Sequence, residues 1–455
     1  MIKRPQFSLG DRVSLGDRVS YCVLALVALS MVITGWQESD ATAEELQANA
    51  ELSWYRGNLH THSHWSDGND YLETIALWYR DHGYQFLVLT DHNVIDDTER
   101  WINVKRSKGG PTAFGKLKVT FPRFVRERIT DEGELEVRLR TFQEVANQLN
   151  QPGKFRLIQG EEISDSFEGL PIHLCAGNLV EVIPPMTGKS VYDTIQNNVR
   201  AVIVQRERTG QAMMVHVNHP NFGYAITAED LVRVRGERFF EVYNGHPAVA
   251  NSGDELHAST DRVWDIILTR RLAELQLPVM YGLAVDDGHD YHVMANHKSN
   301  PGRGWVMVLA EDLSAESLIH ALDAGQFYAS SGVTLQAVVA TEQGLTVEVE
   351  PVEGETYVTE FIGTRQGYDP TSEPITDADG KPIRATRRYS SAVGQTLKTI
   401  EGNRAEYRFE GDEIYVRARI TSSAAHPNPG EPEEPQRAWC QPVLGPAMYQ
   451  EAGPK

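Results

Sequence analysis

Short apolar segments that end in a charged or polar residue recur between residues 54 and 333, and stretches with helical spacing lie between several of them. This alternation predicts strands followed by helices, the pattern of a parallel sheet covered by helices. We predict helices over residues 71–82, 190–208, 254–275 and 315–324. The strand segments are WYRGNLHTH, QFLVLTDH, FRLIQGEEI, IHLCAGNLV, AMMVHVNHP, RFFEVYN, VMYGLAVDDGH and GWVMVLA.

Seven of these eight segments carry His, Asp, Glu or Asn among their last three residues. In a (β/α) barrel the carboxyl ends of the strands open onto one face, so side chains that are distant in sequence meet there. The sequence therefore predicts an α/β fold with a (β/α) barrel over residues 51–333. The reactive groups should gather at one mouth.

The pattern changes after Val333. Alternating segments such as LTVEVEP and EIYVRARI are separated by Gly, Pro and Asp turns, without a clear helical period. They predict a small all-β sandwich over residues 334–455. Fourteen of the fifteen histidines lie between His60 and His320, so chemistry that uses imidazole belongs to the first domain.

Residues 1–50 have the features of an export signal. Basic residues precede an apolar run, and a small-x-small site follows it. The run is shorter than the roughly 20 residues that cross a bilayer, which favours a cleaved signal peptide over an N-terminal membrane anchor. We therefore expect a periplasmic or extracellular protein, with a membrane tether as the alternative. The features are Lys3, Arg4, Arg12, Arg18, the run from Tyr21 to Trp36, and Ala41-Thr42-Ala43.

The bulk composition excludes several classes of protein. A net charge of −20 disfavours long nucleic acid as a partner, because phosphate polymers are held by clustered Lys and Arg. A small anionic substrate drawn in by metal ions is compatible with this charge. Cys22, Cys175 and Cys440 are too few for a thiolate zinc site or a disulfide scaffold, which leaves one Cys175–Cys440 bridge as an alternative.

Residues 101–140 form a basic insertion between the second and third predicted strands. The insertion has ten Lys and Arg against five acidic residues, in a chain that is otherwise acidic. Two interpretations stay open: a solvated surface insertion, or a mobile basic lid that draws an anionic substrate over the mouth.

The stretch GNLHTHSHWSDG, residues 57–68, places three histidines and an aspartate within twelve positions. Side chains two apart on a strand leave the same face, so His60 and His62 can point at one ion. Further imidazoles and carboxylates end the other predicted strands. Zn, Mn and Fe share these ligand types.

These pieces resemble the polymerase and histidinol phosphatase (PHP) family of metallophosphoesterases. The matching motifs are LHTHSHWSDG, TDHN, GEEIS, the histidine of IHL, NHP, EVYN and DDGH, in the family's order over roughly residues 54–332. The resemblance implies a distorted (β/α)7 barrel that holds two or three divalent ions. It assigns His60, His62, Glu162 and Asp287 to the first ion, His173 and His219 with a bridging Glu162 to the second, and Asp67, His92 and His289 to the third.

Two acidic pairs leave the register open, because adjacent strand residues face opposite sides. The spacing in the family selects Glu162 over Glu161 and Asp287 over Asp286, and Glu162 and Asp287 are also the expected catalytic carboxylates. Two further residues are substrate-binding candidates: one departs from the family motif, and the other comes after the last motif in the sequence. They are His64, which could instead be an exposed loop histidine, and Arg303, whose guanidinium could bind a phosphate in a bidentate way.

The expected activity is hydrolysis of a phosphoester by a metal-bridged hydroxide, with a small phosphorylated substrate favoured. The chain has no G-x-S-x-G elbow and no G-x-x-x-x-G-K-[ST] loop, which disfavours serine hydrolases and P-loop enzymes. A 5′ to 3′ exonuclease-like or nucleotidase activity is the nearest alternative. An amidohydrolase and a noncatalytic binding protein are alternatives of other classes.

Overall fold

A computed structural model of the chain describes residues 52–449. The predicted export signal within residues 1–50, with Cys22, lies outside the described residues. Within the described range, the helices are all too short or too polar to cross a membrane. Cys175 and Cys440 are buried free thiols, so the disulfide between them does not form.

The first part of the chain alternates strands and helices, as the sequence predicts. Its strands are β1 (Ser53–Asn58), β2 (Phe86–Leu89), β3 (Trp101–Asn103), β4 (Glu127–Ile129), β5 (Leu135–Arg138), β6 (Arg156–Phe167), β7 (Leu170–Gly177), β8 (Met214–Val217), β9 (Phe239–Asn244), β10 (Tyr281–Val285), β11 (Trp305–Ala310) and β12 (Phe327–Ser330). Its α-helices are α1 (Leu72–Asp81), α2 (Gly110–Thr120), α3 (Phe142–Leu149), α4 (Val191–Thr209), α5 (Ala228–Leu231), α6 (Thr260–Thr269) and α7 (Ala315–Asp323).

Serine caps fix the starts of three predicted helices. The side chains of Ser190, Ser259 and Ser314 accept hydrogen bonds from backbone N–H groups of the first turns of α4, α6 and α7. The helix predicted over residues 254–275 is therefore shorter, because Ser259 starts it and a π-helical turn, Arg270–Glu274, follows it. The other three predicted helices are confirmed to within two residues.

The sheet joins strands in the order β10-β9-β8-β7-β6-β2-β1-β11-β12 and continues into the second part of the chain. Strands β1, β2 and β6 are parallel, as are β8, β9 and β10. Strand β7 is antiparallel to both neighbours, because Glu168 and Gly169 turn the chain directly back after β6. The prediction of βα alternation is wrong at this strand.

The two ends of the seven-strand run from β10 to β1 approach each other beyond the strands. Thr61 forms a parallel bridge with Gly288, and the His62 N–H donates to the Gly288 carbonyl oxygen at 3.0 Å. The chain is thus a mixed α/β protein with this large sheet at its centre. Since a single bridge joins the ends, the closed seven-stranded barrel stays a prediction.

The second part of the described chain is all β, as predicted. Its strands are β13 (Leu335–Thr341), β14 (Gly344–Val349), β15 (Tyr357–Arg365), β16 (Ser372–Glu373), β17 (Arg388–Tyr389), β18 (Gln395–Glu401), β19 (Arg404–Arg408), β20 (Glu413–Ala425), β21 (Pro435–Cys440) and β22 (Val443–Leu444). The sheet β13-β14-β19 packs on the large sheet through one apolar cluster that includes Val347, Phe361 and Val416. Strand β21 pairs with β12, so the large sheet is continuous across residue 333 and the boundary there stays a prediction.

The basic insertion, residues 101–140, is itself folded. Strands β3, β5 and β4 form a small sheet, and α2 packs its buried Phe114 and Leu117 into a cluster that also contains Trp65 and Tyr71. The insertion is thereby packed against the segment that carries the first histidines.

A buried arginine joins the two parts of the chain. Arg417 of β20 is fully buried, and its Nε lies 2.7 Å from Asp265 Oδ1 of α6. The Tyr415 hydroxyl donates to the same carboxylate at 2.9 Å, and the Trp264 ring lies 4.7 Å from the guanidinium carbon. A buried charge of this kind is tolerated because it is paired and hydrogen-bonded.

Replacing Arg417 with Ala should leave the Asp265 carboxylate buried without its counter-charge. We expect the free energy of unfolding, measured by urea denaturation, to fall by about 3 kcal/mol or more. Arg208→Ala, which removes an exposed ion pair with Glu181, is the control and should cost below about 1 kcal/mol. Equal losses in the two variants would contradict the assigned role.

The buried carboxyl group of Glu237, just before β9, makes the free energy of unfolding depend on pH. Burial raises the pKa of its carboxyl group to about 8, from 4.5. The unfolded chain releases this proton first as pH rises, so the free energy of unfolding should fall between pH 4.5 and about 8. Urea denaturation across this range should show a shallower fall for Glu237→Gln. An unchanged slope in the variant would refute this assignment.

Candidate metal centre

The backbone beyond β1 places two histidines on one side of the chain. After a bend at Leu59 it is extended at Thr61, which forms the bridge to Gly288. Because alternate residues of an extended segment leave the same face, His60 and His62 point together, and their ring centroids lie 5.1 Å apart. This is the arrangement that the sequence spacing predicts.

Both rings face two carboxylates. Nε2 of His60 lies 3.4 Å from Glu162 Oε1 and 3.4 Å from Asp287 Oδ1. Nε2 of His62 lies 3.4 Å from Glu162 Oε2 and 3.3 Å from Asp287 Oδ1. All four side chains are buried. Two imidazoles and two carboxylates around one space form a donor set that suits Zn, Mn or Fe.

A second group shares Glu162. Nδ1 of His173 lies 3.1 Å from Glu162 Oε1, and Nε2 of His219 lies 3.4 Å from the same oxygen. His173 reaches this point because β7 runs opposite to β6, which brings the start of β7 beside Ser164, near the end of β6. The reversed strand, which the sequence pattern did not predict, therefore delivers a predicted ligand.

A third group surrounds Asp67. Its Oδ1 lies 3.1 Å from His289 Nε2, 3.5 Å from His92 Nε2 and 3.7 Å from His62 Nδ1. Asp67 is 39% exposed and His92 is 29% exposed, so this group is the open end of the site. The structure thus brings all nine predicted ligands together, and we refer to them as the nine-residue cluster.

Buried atoms in this cluster lack hydrogen-bond partners. They are His60 Nε2, His62 Nε2, Asp67 Oδ1 and Glu162 Oε2. A buried polar atom without a partner costs about 1–3 kcal/mol, and here all four are metal-ligating atoms that face one another. The donor set therefore fits bound cations.

Glu162, Asp287 and His62 have the protonation states that suit a bound cation. Burial opposes ionisation of Glu162 and Asp287, but the neighbouring histidines, His60 foremost, hold the pKa of both carboxyl groups well below the usual range. Burial, together with the charge of His289, lowers the pKa of His62 to about 3. At neutral pH the two carboxylates are ionised and His62 is neutral, which are the forms that coordinate metals. Burial opposes protonation of His60, His92, His219 and His289, but the facing carboxylates raise the pKa of all four, so these imidazoles would release protons when a cation binds.

Glu241 of β9 orients two histidines of the cluster from the side opposite their ligand atoms. The sequence motifs do not predict this role. Its Oε1 lies 2.7 Å from His60 Nδ1 and 3.1 Å from His216 Nε2. Its Oε2 accepts the His219 N–H at 2.7 Å and Asn244 Nδ2 at 2.8 Å. An Nδ1 proton donated to Glu241 leaves the lone pair of His60 Nε2 facing the cluster. A glutamate inside the otherwise apolar run FFEVYN was the available signal.

In each of the two adjacent acidic pairs, one carboxylate faces the cluster and the other binds backbone N–H groups. Glu162 and Asp287 lie in the cluster, while Glu161 accepts the Ile183 N–H at 3.0 Å. Asp286 accepts backbone N–H groups of Gly302, Arg303 and Gly304. Asn218 Nδ2 also donates to Glu162 Oε1, at 2.7 Å, and so helps to fix that carboxylate.

The structure does not support either substrate-binding candidate. His64 is 5% exposed, its Nδ1 faces the Gly68 carbonyl oxygen at 3.1 Å, and its ring packs on the edge of Tyr71, so the exposed-loop interpretation is also wrong. Arg303 is fully buried, and its guanidinium donates to Asn428, Gly245 and Ala295 carbonyl oxygens. Arg303 therefore holds loops together, and its guanidinium donors are occupied by backbone carbonyl oxygens.

Solved structures of other proteins are similar to this chain. No protein-family model matches it, and no curated protein matches it. A solved two-domain protein from Bacteroides vulgatus, which contains a predicted PHP-like metal-dependent phosphoesterase, is 15% identical with a TM-score of 0.38, over 86% of this chain and 96% of that chain. A protein from Bifidobacterium adolescentis, provisionally named a metal-dependent phosphoesterase, is 12% identical with a TM-score of 0.26, over 51% of this chain and 87% of that chain.

The first of these solved structures carries the name of the family that the sequence motifs resemble, and the second carries the name of the corresponding activity. These names describe those proteins, and no role in the present chain is taken from them. The roles of its individual residues rest on the geometry of the nine-residue cluster.

Glu241→Ala should weaken metal binding, because His60 loses the acceptor that fixes its ring. We expect a loss of about 10- to 100-fold in the affinity for Zn²⁺ or Mn²⁺, measured by titration calorimetry with circular dichroism to verify folding. Glu161→Gln is the matched control, since this neighbouring buried carboxyl group faces away from the cluster. Metal affinity equal to that of the wild type in a folded Glu241→Ala would contradict the positioning role.

Proposed function

We propose that the chain is a metal-dependent hydrolase of phosphoric esters in the PHP class. One observation carries the proposal: four buried ligand atoms without hydrogen-bond partners converge within a cluster of six imidazoles and three carboxylates. The nine-residue cluster would hold two or three divalent ions, with Zn, Mn and Fe as candidates. In this proposal the seven-strand run closes into a distorted barrel around the ions.

Bound divalent ions would lower the pKa of water and stabilise negative charge on phosphoryl oxygens. The side chains of the cluster would position the ions and the substrate and would supply negative charge. His60, His62, His173 and His219 fix the inner groups, and the exposed edge formed by Asp67 and His92 admits the substrate. Glu162 and Asp287, which lie between the inner histidines, are the proposed catalytic carboxylates.

A protein nucleophile is not required. Among the described thiols, Cys175 lies beside His60 and His216, but burial raises its pKa to about 12. A thiol in that state is a poor nucleophile at neutral pH. This favours direct attack by water over a covalent intermediate.

A small phosphorylated compound is the favoured substrate, because the net charge of −20 repels phosphate polymers. A nucleotidase or a 5′ to 3′ exonuclease-like enzyme that acts on nucleotide ends is the second candidate. We also propose that residues 1–50 direct export, with the apolar run Tyr21–Trp36 as a cleaved signal or a tether.

Metal analysis of the purified protein, combined with a hydrolysis screen, tests the proposal. Phosphomonoesters, phosphodiesters and amides are offered under Mn²⁺ and Zn²⁺. Two or three equivalents of metal with turnover of a phosphoester support the proposal. Turnover of amides alone indicates an amidohydrolase, and metal-free inactive protein indicates a binding role.

His62→Ala removes a side chain that faces both the first and the third group. We expect phosphoester turnover to fall by at least about 1,000-fold with the fold retained, since an assembly of this kind fails when one member is lost. His82→Gln, at the exposed end of α1, is the control and should keep full activity. Activity within a few-fold of wild type in His62→Ala would refute the site.

A further inference from the structure

Four of the ten basic side chains of the insertion pair with acids of the insertion itself or of the next helix. Arg106 pairs with Glu134 at 2.7 Å and Arg128 with Glu136 at 2.7 Å. Lys118 pairs with Glu127 at 3.1 Å. These positive charges are neutralised locally and would not attract an anionic substrate.

Two lysines instead reach the loop that follows His62. Lys116 Nζ lies 2.5 Å from Asp70 Oδ2, and that carboxylate is fully buried, so this pair anchors helix α2. Lys108 Nζ lies 3.2 Å from Asp67 Oδ2, with Lys108 58% exposed and Asp67 39% exposed. Lys108 is therefore the one of the two that stands at the open end of the nine-residue cluster.

The two oxygens of Asp67 face different partners. Oδ1 faces His289, His92 and His62, where a cation would be coordinated. Oδ2 faces the ammonium group of Lys108. A cation held by Oδ1 would thus have a second positive charge beside it on the solvent side, within reach of an anion bound to the cation.

We propose that Lys108 binds the phosphoryl group of the substrate and selects phosphomonoesters over phosphodiesters. This inference rests on the proposed function. A terminal phosphoryl group is a dianion near neutral pH and has three free oxygens, whereas a diester has a single charge and two. An added ammonium group therefore favours the monoester.

The test uses the full-length protein loaded with Mn²⁺ and the variant Lys108→Gln. We expect kcat/KM for a phosphomonoester to fall about tenfold, chiefly through KM, with a change of less than about threefold for a phosphodiester. Lys118→Gln, an exposed lysine of the same insertion paired with Glu127, is the matched control and should leave both values unchanged.

Calorimetry with inorganic phosphate and with Mn²⁺ separates this role from a structural one. In Lys108→Gln the affinity for phosphate should fall about tenfold, while the affinity for Mn²⁺ stays equal or rises, because a positive charge beside Asp67 is lost. Weaker binding of Mn²⁺ as well as phosphate would show that Lys108 only holds Asp67 in place and would overturn the proposal. Unchanged phosphate affinity, or equal kinetic losses for both ester classes, would also overturn it.

Failure of the proposed function gives a different result. If the wild-type protein hydrolyses no phosphoester, the phosphate titration still measures the contribution of Lys108 to anion binding. A tenfold loss in that titration supports the anion subsite, and no loss overturns it.

Discussion

The site depends on the contacts between the buried Glu162 carboxylate and the surrounding imidazoles. Its two carboxylate oxygens lie within 3.4 Å of imidazole nitrogens from five histidines: His60, His62, His92, His173 and His219. These histidines come from the ends of several strands, so one buried carboxylate joins segments that are distant in sequence. Its negative charge is tolerated in the interior because these imidazoles and the Asn218 amide surround it. The same constraint explains why so much polar surface is buried here without disrupting the fold.

A second layer of polar groups holds these ligands in position. Glu241 uses both oxygens on His60, His216, the His219 backbone and Asn244, and Asn218 donates to Glu162. Ligands fixed in this way lose little rotational freedom when a cation binds, which raises affinity and keeps the ring nitrogens directed inward. The chemistry therefore depends on residues that need not touch substrate.

The all-β part of the chain is tied to the α/β part by buried arginines. Arg417 of β20 binds Asp265 of α6, and Arg303 donates to the Asn428 carbonyl oxygen in the loop before β21. Guanidinium groups suit this role because their planar set of donors satisfies several acceptors at once. Arg303 also binds the Gly245 carbonyl oxygen, next to the end of β9, so the C-terminal segment supports a loop near the candidate metal centre.

The sequence by itself determined the local features. Alternation of apolar runs and helical periods predicted eight strands of the α/β part and three of its helices. The two-residue spacing predicted that His60 and His62 share a face, because both patterns are set by the period of the backbone. The motifs also identified nine side chains that the fold brings together. Tertiary structure alone decided what depends on distant partners. The pairing of Glu241 with His60 and the burial of His64 and Arg303 follow from contacts between segments far apart in the chain. No local period specifies such contacts, so only the folded chain shows which polar residues face the site and which support it.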